Sequence, residues 1–486
     1  MEDKPDGRAD DSRARLLAGR FSIFSTSGRR LFSSSGGRLI AAAALLHVAL
    51  AFGLFWAGRA QIAPSFLDRD AIITNSDSYQ YRSAAVRMVE ILKKNGLRAW
   101  AAEPERTHVK LISLQFAVLG PVFGYSALSA EPFNLFCYVL IVALVLLLGR
   151  EVGGRRVGLL AAGIVAVWPT FLLHTTQFLK DPLFIAAALA LILIVTTWLT
   201  RNYTWGAAAR MGALMGGATV LLLLVRVKFG AIIYVFVFFG FALLVVRQWL
   251  ERRVLYRNMI FPLLILCAGA LLPFYLAAGH QKLKQYPSGQ GGRQKSAPVT
   301  GRQLPGVITY ARAASDRPKM SQGQAGQLSA ALETAVIEIE SARYKYNTSY
   351  PESGSAIDRN VEYKNLKNLI LYLPRAVAIG FWSPFPAMWF GAGRNVGSAG
   401  RLMSGVETLL MYLCQLLVLV GIRRAPRCLP AWLLLSITLF GVTVLGLVVS
   451  NVGTLYRFRF VFWMLLIILG VKGFESIAAT WRGRAP

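Results

Sequence analysis

The chain has 486 residues, 55% of them hydrophobic and only 16% charged, with a mean hydropathy of +0.49; a water-soluble domain is roughly 25% charged, so composition excludes an ordinary soluble protein. Its formal net charge of +29 would point to nucleic acid in a soluble chain. Here the basic residues fall in short loops between apolar blocks, with no basic face interleaved with aromatics, so the expected partner is membrane lipid and not nucleic acid.

Residues 1–38 are rich in Ser, Gly and Arg without apolar periodicity and read as a disordered cytoplasmic tail. Arg29, Arg30 and Arg38 precede the first apolar block and place the N-terminus inside. That block is too long for a cleaved signal peptide and reads as a retained anchor. Candidate spans follow at 39–57, 131–149, 157–175, 182–199, 211–226, 229–247, 259–278, 404–422, 429–449 and 459–478. Arginine-rich turns follow the second, fourth, sixth and eighth of these, on the N-terminal side of the membrane, and the even count returns the C-terminus there. The expected architecture is therefore all-α: a polytopic bundle with an N-terminal transmembrane module over 39–278 and C-terminal transmembrane helices over 404–486.

Two long segments fall outside. The first, 58–130, holds an amphipathic stretch near 79–95 and an apolar one near 111–123, expected to break at Gly120-Pro121. The second, 279–403, begins polar over 282–321. It then offers Leu328, Leu332, Val336 and Ile339 as one face of an amphipathic helix. It ends in 369–390, where Pro374, Pro384 and Pro386 argue for a re-entrant or interfacial element.

Cys137, Cys267, Cys414 and Cys428 lie in or just beyond apolar blocks, which leaves no disulfide framework and no Cys-His metal spacing. The inside loops are only about a dozen residues, whereas a nucleotide-binding βαβ module needs ~30 and a Gly-rich turn. An enzyme working outside must then use a substrate that arrives through the membrane, and a polyprenyl-phosphate sugar fits. The spans read as nearly free of ionisable residues, which argues for interfacial chemistry over translocation.

Asp77, in Asn75-Ser76-Asp77-Ser78-Tyr79, could take a proton from an acceptor hydroxyl, or cap the helix that follows. Asp181, in Lys180-Asp181-Pro182, could be a second acid on the same face, or a cap with Pro182 at the first helical position. Arg226 and Lys228 flank the outer end of the fifth span, where cations suit a leaving lipid phosphate; snorkelling is the plainer reading, yet external positive charge runs against the topology bias. Arg457 and Arg459, in the short loop before the last span, invite a phosphate role or serve as an interfacial anchor. Arg375 and Arg394 are weaker candidates of the same kind. His174 and His280 sit at span ends, and Asn347-Thr348-Ser349 matches a glycosylation sequon that we read as chance.

Taken together, Asp77-Ser78-Tyr79, Gly149-Arg150, Gly154 to Ala162, Pro169 and Lys180-Asp181-Pro182 resemble the GT-C superfamily of integral-membrane glycosyltransferases, and more narrowly the bacterial relatives of dolichyl-phosphate-mannose-protein mannosyltransferases. Echoes continue in Tyr372 to Arg375, Ser383 to Pro386 and Gly453 to Arg457. The resemblance implies a bacterial inner membrane and an inverting transfer from a polyprenyl-phosphate sugar to a glycan, lipid or protein acceptor outside. It implies that Asp77 matches the catalytic first-loop acid and Asp181 the second acidic position. The candidate donor-phosphate ligands are Lys180, Arg226, Lys228, Arg375, Arg457 and Arg459. Several members carry paired acids where this chain has Ser76-Asp77-Ser78, which favours a polysaccharide or lipid acceptor. With two well-placed acids, no metal cofactor is expected. Two other functions fit the same sequence: a polymerase or ligase of lipid-linked oligosaccharides, and a transporter or flippase for lipid-linked sugars.

Overall fold

The computed structural model describes residues 35–74, 77–226, 230–269, 327–349, 355–390, 397–424 and 428–483. The expected tail over 1–38 therefore lies almost wholly outside the described residues, as do the polar segment 282–321, Lys228, His280 and Arg394. Among the described residues the chain is all-α apart from two isolated β-bridges.

Among the described residues, eight helices are long and apolar enough to cross a membrane. In chain order the elements are α1 (Ser35–Arg59), α2 (Ser78–Ala102), α3 (Thr107–Phe123), α4 (Glu131–Ala166), α5 (Pro169–Thr175), α6 (Asp181–Thr200), α7 (Trp205–Val225) and α8 (Gly230–Glu251). Then come α9 (Tyr256–Gly269), a shorter apolar helix, α10 (Gln327–Ser349), α11 (Leu366–Trp382), α12 (Gly397–Arg424), α13 (Leu429–Val448), α14 (Val452–Phe458) and α15 (Phe460–Trp481).

Spans expected at 131–149 and 157–175 are the two legs of α4, which reverses at Gly154 (φ 83°). An L-residue adopts that conformation only under strain. The legs then run antiparallel: a Cβ on Gly149 would come within 2.6 Å of Gly158 Cα, and Tyr138 donates to Ala166 O at 2.7 Å. The second leg stops at Val167 because Pro169 has no N–H to continue the ladder, and a separate short turn, α5, carries the chain on.

The core is built from helices apolar on every side, the pattern of a central rather than a peripheral helix. Phe460 to Val471 of α15 are all buried, and α12, α4 and α13 pack around it. Exposed leucines remain on α1, α7 and α12, as expected of surfaces facing hydrocarbon. Between helices in lipid, close packing replaces the hydrophobic drive. Gly421, Gly470 and Gly473 accordingly line the α12–α15 seam, where a Cβ on Gly470 would meet Cys414 Cα at 3.1 Å.

Two stretches depart from expectation. α3 does not break at Gly120-Pro121. It carries Pro121 in its last turn and closes at Gly124 (φ 69°), because a proline this near a helix end removes a single backbone bond. α11 runs through Pro374 and lies antiparallel against the span α13, with Gly380 on Val442 and Gly446 on Ala376. Pro384 and Pro386 come only after it ends.

The spans are also not inert. Glu407 of α12 is 2% exposed, and His47 of α1 is buried against Glu131, Nδ1 to Oε1 2.7 Å. Each is satisfied by hydrogen bonds: His47 Nε2 meets Thr175 Oγ1 at 3.0 Å, and Glu407 accepts from Thr170 N at 2.8 Å, from Thr170 Oγ1 and from Tyr456 OH. Both pairs therefore grip α5, one at each end. A single charge in an apolar block is easily passed over in sequence, and here it is a tether.

The arginine-rich turns gather at one end. Arg201 pairs with Glu151, Arg247 donates to Leu199 O and Arg201 O, and Arg424 reaches Ser476 O. α2, α3 and α14 lie at the other end, where α6 begins.

Candidate active site at the acid-arginine line

Four side chains from four distant parts of the sequence form a line of alternating charge. Asp77 Oδ2 accepts from Arg457 Nη2 at 2.8 Å. Arg457 Nε stands 3.4 Å from Asp181 Oδ2, and Asp181 Oδ1 pairs with Arg226 Nη2. Exposure falls along the line. Side chains of Asp77 and Arg457 are 31% and 17% exposed, those of Asp181 and Arg226 only 7% and 5%, so Asp77 is the end that solvent reaches.

Local structure explains why these carboxylates are available. Asp77 occupies the N-cap position of α2, yet its side chain makes no capping bond. Asp181 is the first residue of α6 behind Lys180, again with no cap bond. In both places the cap reading gives way to an arginine partner. Pro182 fixes the first turn of α6, and Gln177 ties the preceding segment to the first long loop, donating to Ala71 O at 3.1 Å and accepting from Ile73 N at 3.0 Å. Asp77 and Asp181 are held together through this stitch.

Arg226 closes α7 and lies over two rings, 4.9 Å from Phe184 and 4.2 Å from Phe458. Those same two phenylalanines line an apolar cleft with Leu222, Ile233, Phe236 and Phe462. Arg226 thus lies on two rings that also border a small, nearly closed apolar gap.

Lys180 joins the cluster electrostatically: burial, then the neighbouring Arg226, pushes its ammonium down to about 8. His108 of α3 is 2% exposed and is pushed down to about 3 by burial, then by Lys180 and Arg106. It meets the Tyr81 ring edge-on at 4.7 Å, and Arg106 covers that ring at 5.4 Å. Neither His108 nor Arg106 carries a motif that would single it out in sequence; the α2–α3 pairing brings them in.

The remaining candidates are placed elsewhere. Arg459 is fully buried beside the line, donating to Gly380 O at 2.7 Å between the rings of Tyr456 and Trp463, where it anchors α11. Arg375 pairs with Asp358 at 2.9 Å, an acid that also accepts from Tyr372 OH. Arg343, unremarkable in sequence, is buried at the centre of that outer scaffold and donates to Leu447 O and Asp358 O at 2.9 and 2.6 Å. His174 Nδ1 donates to Thr170 O at 2.7 Å within α5.

Among the described residues no group of three or more His, Cys, Asp and Glu side chains could hold a metal ion. Asp77 and Asp181 are already engaged by guanidinium groups, and this donor set does not fit a bound cation.

No family model matches the chain, and no curated protein matches it in sequence. In three dimensions the chain is similar to two solved structures. One is the archaeal oligosaccharyltransferase AglB from Archaeoglobus fulgidus, solved with an inhibitory peptide and a dolichol-phosphate. The likeness has a TM-score of 0.47 at 14% identity over 92% of this chain and 51% of that one, so the chain spans about half the length of AglB. The other is ArnT from Cupriavidus metallidurans, solved with undecaprenyl phosphate, at a TM-score of 0.33 and 12% identity over 92% of this chain and 79% of that one.

Proposed function

We propose that this protein transfers a sugar from a polyprenyl-phosphate donor to an acceptor at the external face of the membrane, with both termini cytoplasmic. The observation that carries the reading is the line from partly exposed Asp77 to buried Arg226, whose guanidinium lies on the apolar rings of Phe184 and Phe458. A polyprenyl phosphate has the same polarity pattern, a hydrocarbon chain ending in an anion. The prenyl chain would lie against the apolar surface around Phe184 and Phe458, and the phosphate would meet Arg226, Lys180 and Arg457. Arginine suits this role because its planar fork gives two donors to phosphate oxygens. The grouping of arginine-rich turns at the opposite end supports the external placement.

In the step itself, an acceptor hydroxyl attacks the anomeric carbon. The new carbon–oxygen bond forms as the bond to the phosphate oxygen breaks. The electron pair goes to the leaving polyprenyl phosphate, and Asp77 takes the hydroxyl proton. Arg457 links the two halves of the reaction, because a phosphate that draws its guanidinium frees Asp77 to act as base. Asp181 does not reach the solvent end and acts by holding Arg457 and Arg226 in position. A single displacement of this kind inverts the anomeric centre.

The test is release of free polyprenyl phosphate from a panel of polyprenyl-phosphate sugars by purified wild type and Asp77→Asn. Release by wild type alone supports transfer with Asp77 as base. Equal release by both keeps the enzyme and removes Asp77 from the chemistry. No release with any donor contradicts the reading, and labelled lipid-linked sugar crossing vesicles that contain only this protein would then point to a flippase.

A further inference from the structure

At the arginine-rich end of the bundle, opposite the acid-arginine line, an open groove of about 470 Å³ lies between the second leg of α4 and the end of α15. Arg156, Leu159, Leu160, Glu475 and Arg482 line it. The reversal of α4 at Gly154 carries Arg156 to this place, and Arg482 caps α15. Neighbouring cations at this end are engaged by the protein itself. Arg155 donates to Ser35 Oγ at 2.7 Å, Arg424 to Ser476 O at 2.7 Å and Lys472 to Val152 O at 3.0 Å. The side chains of Arg156, Glu475 and Arg482 have no hydrogen bond or ion pair among the described residues. The volume falls within the roughly 300–1,000 Å³ of small-ligand sites.

The lining selects the ligand. Two guanidinium groups against one carboxylate leave the groove with one net positive charge. A phosphodiester carries one negative charge and presents oxygens to both planar forks. An ionised carboxylate accepts hydrogen bonds and donates none, so Glu475 complements a head group that also carries hydroxyls. The rest of the lining is hydrocarbon. Leu160 is exposed, and so are Ile164 and Val167 further along the same leg. Spacings of four and three place them on one face. That stripe runs from the groove away from the arginine-rich end for about 10 Å, at 1.5 Å per residue. Trp481, exposed next to Arg482, is the residue type that sits at head-group depth. A soluble anion would use the arginines and leave the stripe bare, whereas a phospholipid covers both.

We propose that this groove binds an anionic phospholipid with a hydroxylated head group, of the phosphatidylglycerol type. The phosphodiester meets Arg156 and Arg482, the head-group hydroxyls donate to Glu475, and one acyl chain lies along Leu160, Ile164 and Val167. The lipid then bridges the α4 hairpin and α15, and by binding the folded chain it stabilises their packing. Binding here is independent of the transfer reaction, which belongs to the opposite end.

The test is titration of the full-length protein in neutral detergent with phosphatidylglycerol, phosphatidylethanolamine and phosphatidylcholine of identical acyl chains, read as bound lipid by native mass spectrometry. Wild type should bind phosphatidylglycerol at least about tenfold more tightly than the other two, the combined effect of two arginines at a membrane surface. Arg156→Gln/Arg482→Gln should abolish that preference, and Arg156→Lys/Arg482→Lys, which keeps both charges, should retain most of it. Arg253→Gln/Arg423→Gln removes the same charge from exposed arginines outside the groove and should stay within about twofold of wild type. Glu475→Gln keeps an acceptor and should still prefer phosphatidylglycerol. Equal loss in the groove and control glutamine variants would reduce the effect to general charge and overturn the proposal. Preference for phosphatidylethanolamine that vanishes in Glu475→Gln would overturn it in favour of a zwitterionic head group. Displacement of the lipid by inorganic phosphate at equal concentration would overturn it in favour of a soluble anion.

Discussion

Arg457 Nη2 stands 2.8 Å from Asp77 Oδ2 although 380 residues separate the two in sequence, and the same guanidinium holds Asp181. One cation between two acids makes Arg457 the joint of the site. Arg457→Ala should lower kcat/KM for the lipid-linked donor by about 100- to 1,000-fold, the usual effect of removing a key charge-stabilising group. Arg457→Lys should recover little, because a point charge cannot bridge two carboxylates as a planar fork does. Steady-state kinetics on the donor checks this, and near wild-type activity in the lysine variant would show that bridging is unnecessary.

Lys180 gives the site a pH dependence of known sign. Burial and Arg226 hold its ammonium down to about 8, against an ordinary 10.5. Its positive charge is therefore lost as pH rises through about 8, and donor KM should climb above that point. Lys180→Arg, always charged, should flatten the climb. For stability the sign is opposite. Between about 8 and 10.5 the unfolded chain keeps a proton that the folded chain has released, so this group's contribution improves as pH rises through that window.

Glu407 tethers α5 to α14. It is buried in α12 and accepts from Thr170 and from Tyr456, the residue preceding Arg457. Replacing it with leucine leaves Thr170 N and Tyr456 OH without their acceptor, which should cost about 2–4 kcal/mol of stability. Tyr456→Phe should cost about 1 kcal/mol and lower kcat more than donor affinity, since Arg457 loses its backing. Thermal unfolding in detergent, with kinetics on the same samples, separates the two effects.

The hairpin of α4 depends on glycine at two kinds of position. Gly154 sits at φ 83°, and Gly149 meets Gly158 backbone to backbone. Gly154→Ala should cost about 1 kcal/mol. Gly149→Leu must push the two legs apart and should cost more, about 1–3 kcal/mol. A milder effect at Gly149 than at Gly154 would contradict the packing described.

Much of this was legible in the sequence for simple physical reasons. Hydrocarbon thickness fixes span length, so the apolar blocks announced most of the helices, although the span expected at 157–175 ends at Ala166, and cations in loops expected to lie outside drew attention to Arg226 and Arg457. Sequence could place Asp77 and Asp181 on the same face but not choose between cap and partner, because that depends on an arginine hundreds of residues away. His108 was hidden by lying in an apolar stretch, and Glu407 by being one charge in a long span. Arg459 and Arg457 look equivalent two residues apart, yet the turn from α14 into α15 sends one into the core and leaves the other in the line of acids. The legs of α4 and the path of α3 through Pro121 turned on backbone details that apolar patterning does not encode.

The central claim is a division of labour along one line, with Arg226 holding the lipid phosphate and Asp77 taking the proton. The most direct measurement is binding of undecaprenyl phosphate alongside turnover of its best sugar-bearing form, for wild type, Asp77→Asn and Arg226→Ala. The account predicts that Asp77→Asn keeps lipid binding within about twofold and loses turnover by at least about 100-fold, whereas Arg226→Ala weakens lipid binding by about tenfold or more. Wild-type lipid binding by Arg226→Ala, or wild-type turnover by Asp77→Asn, would contradict it.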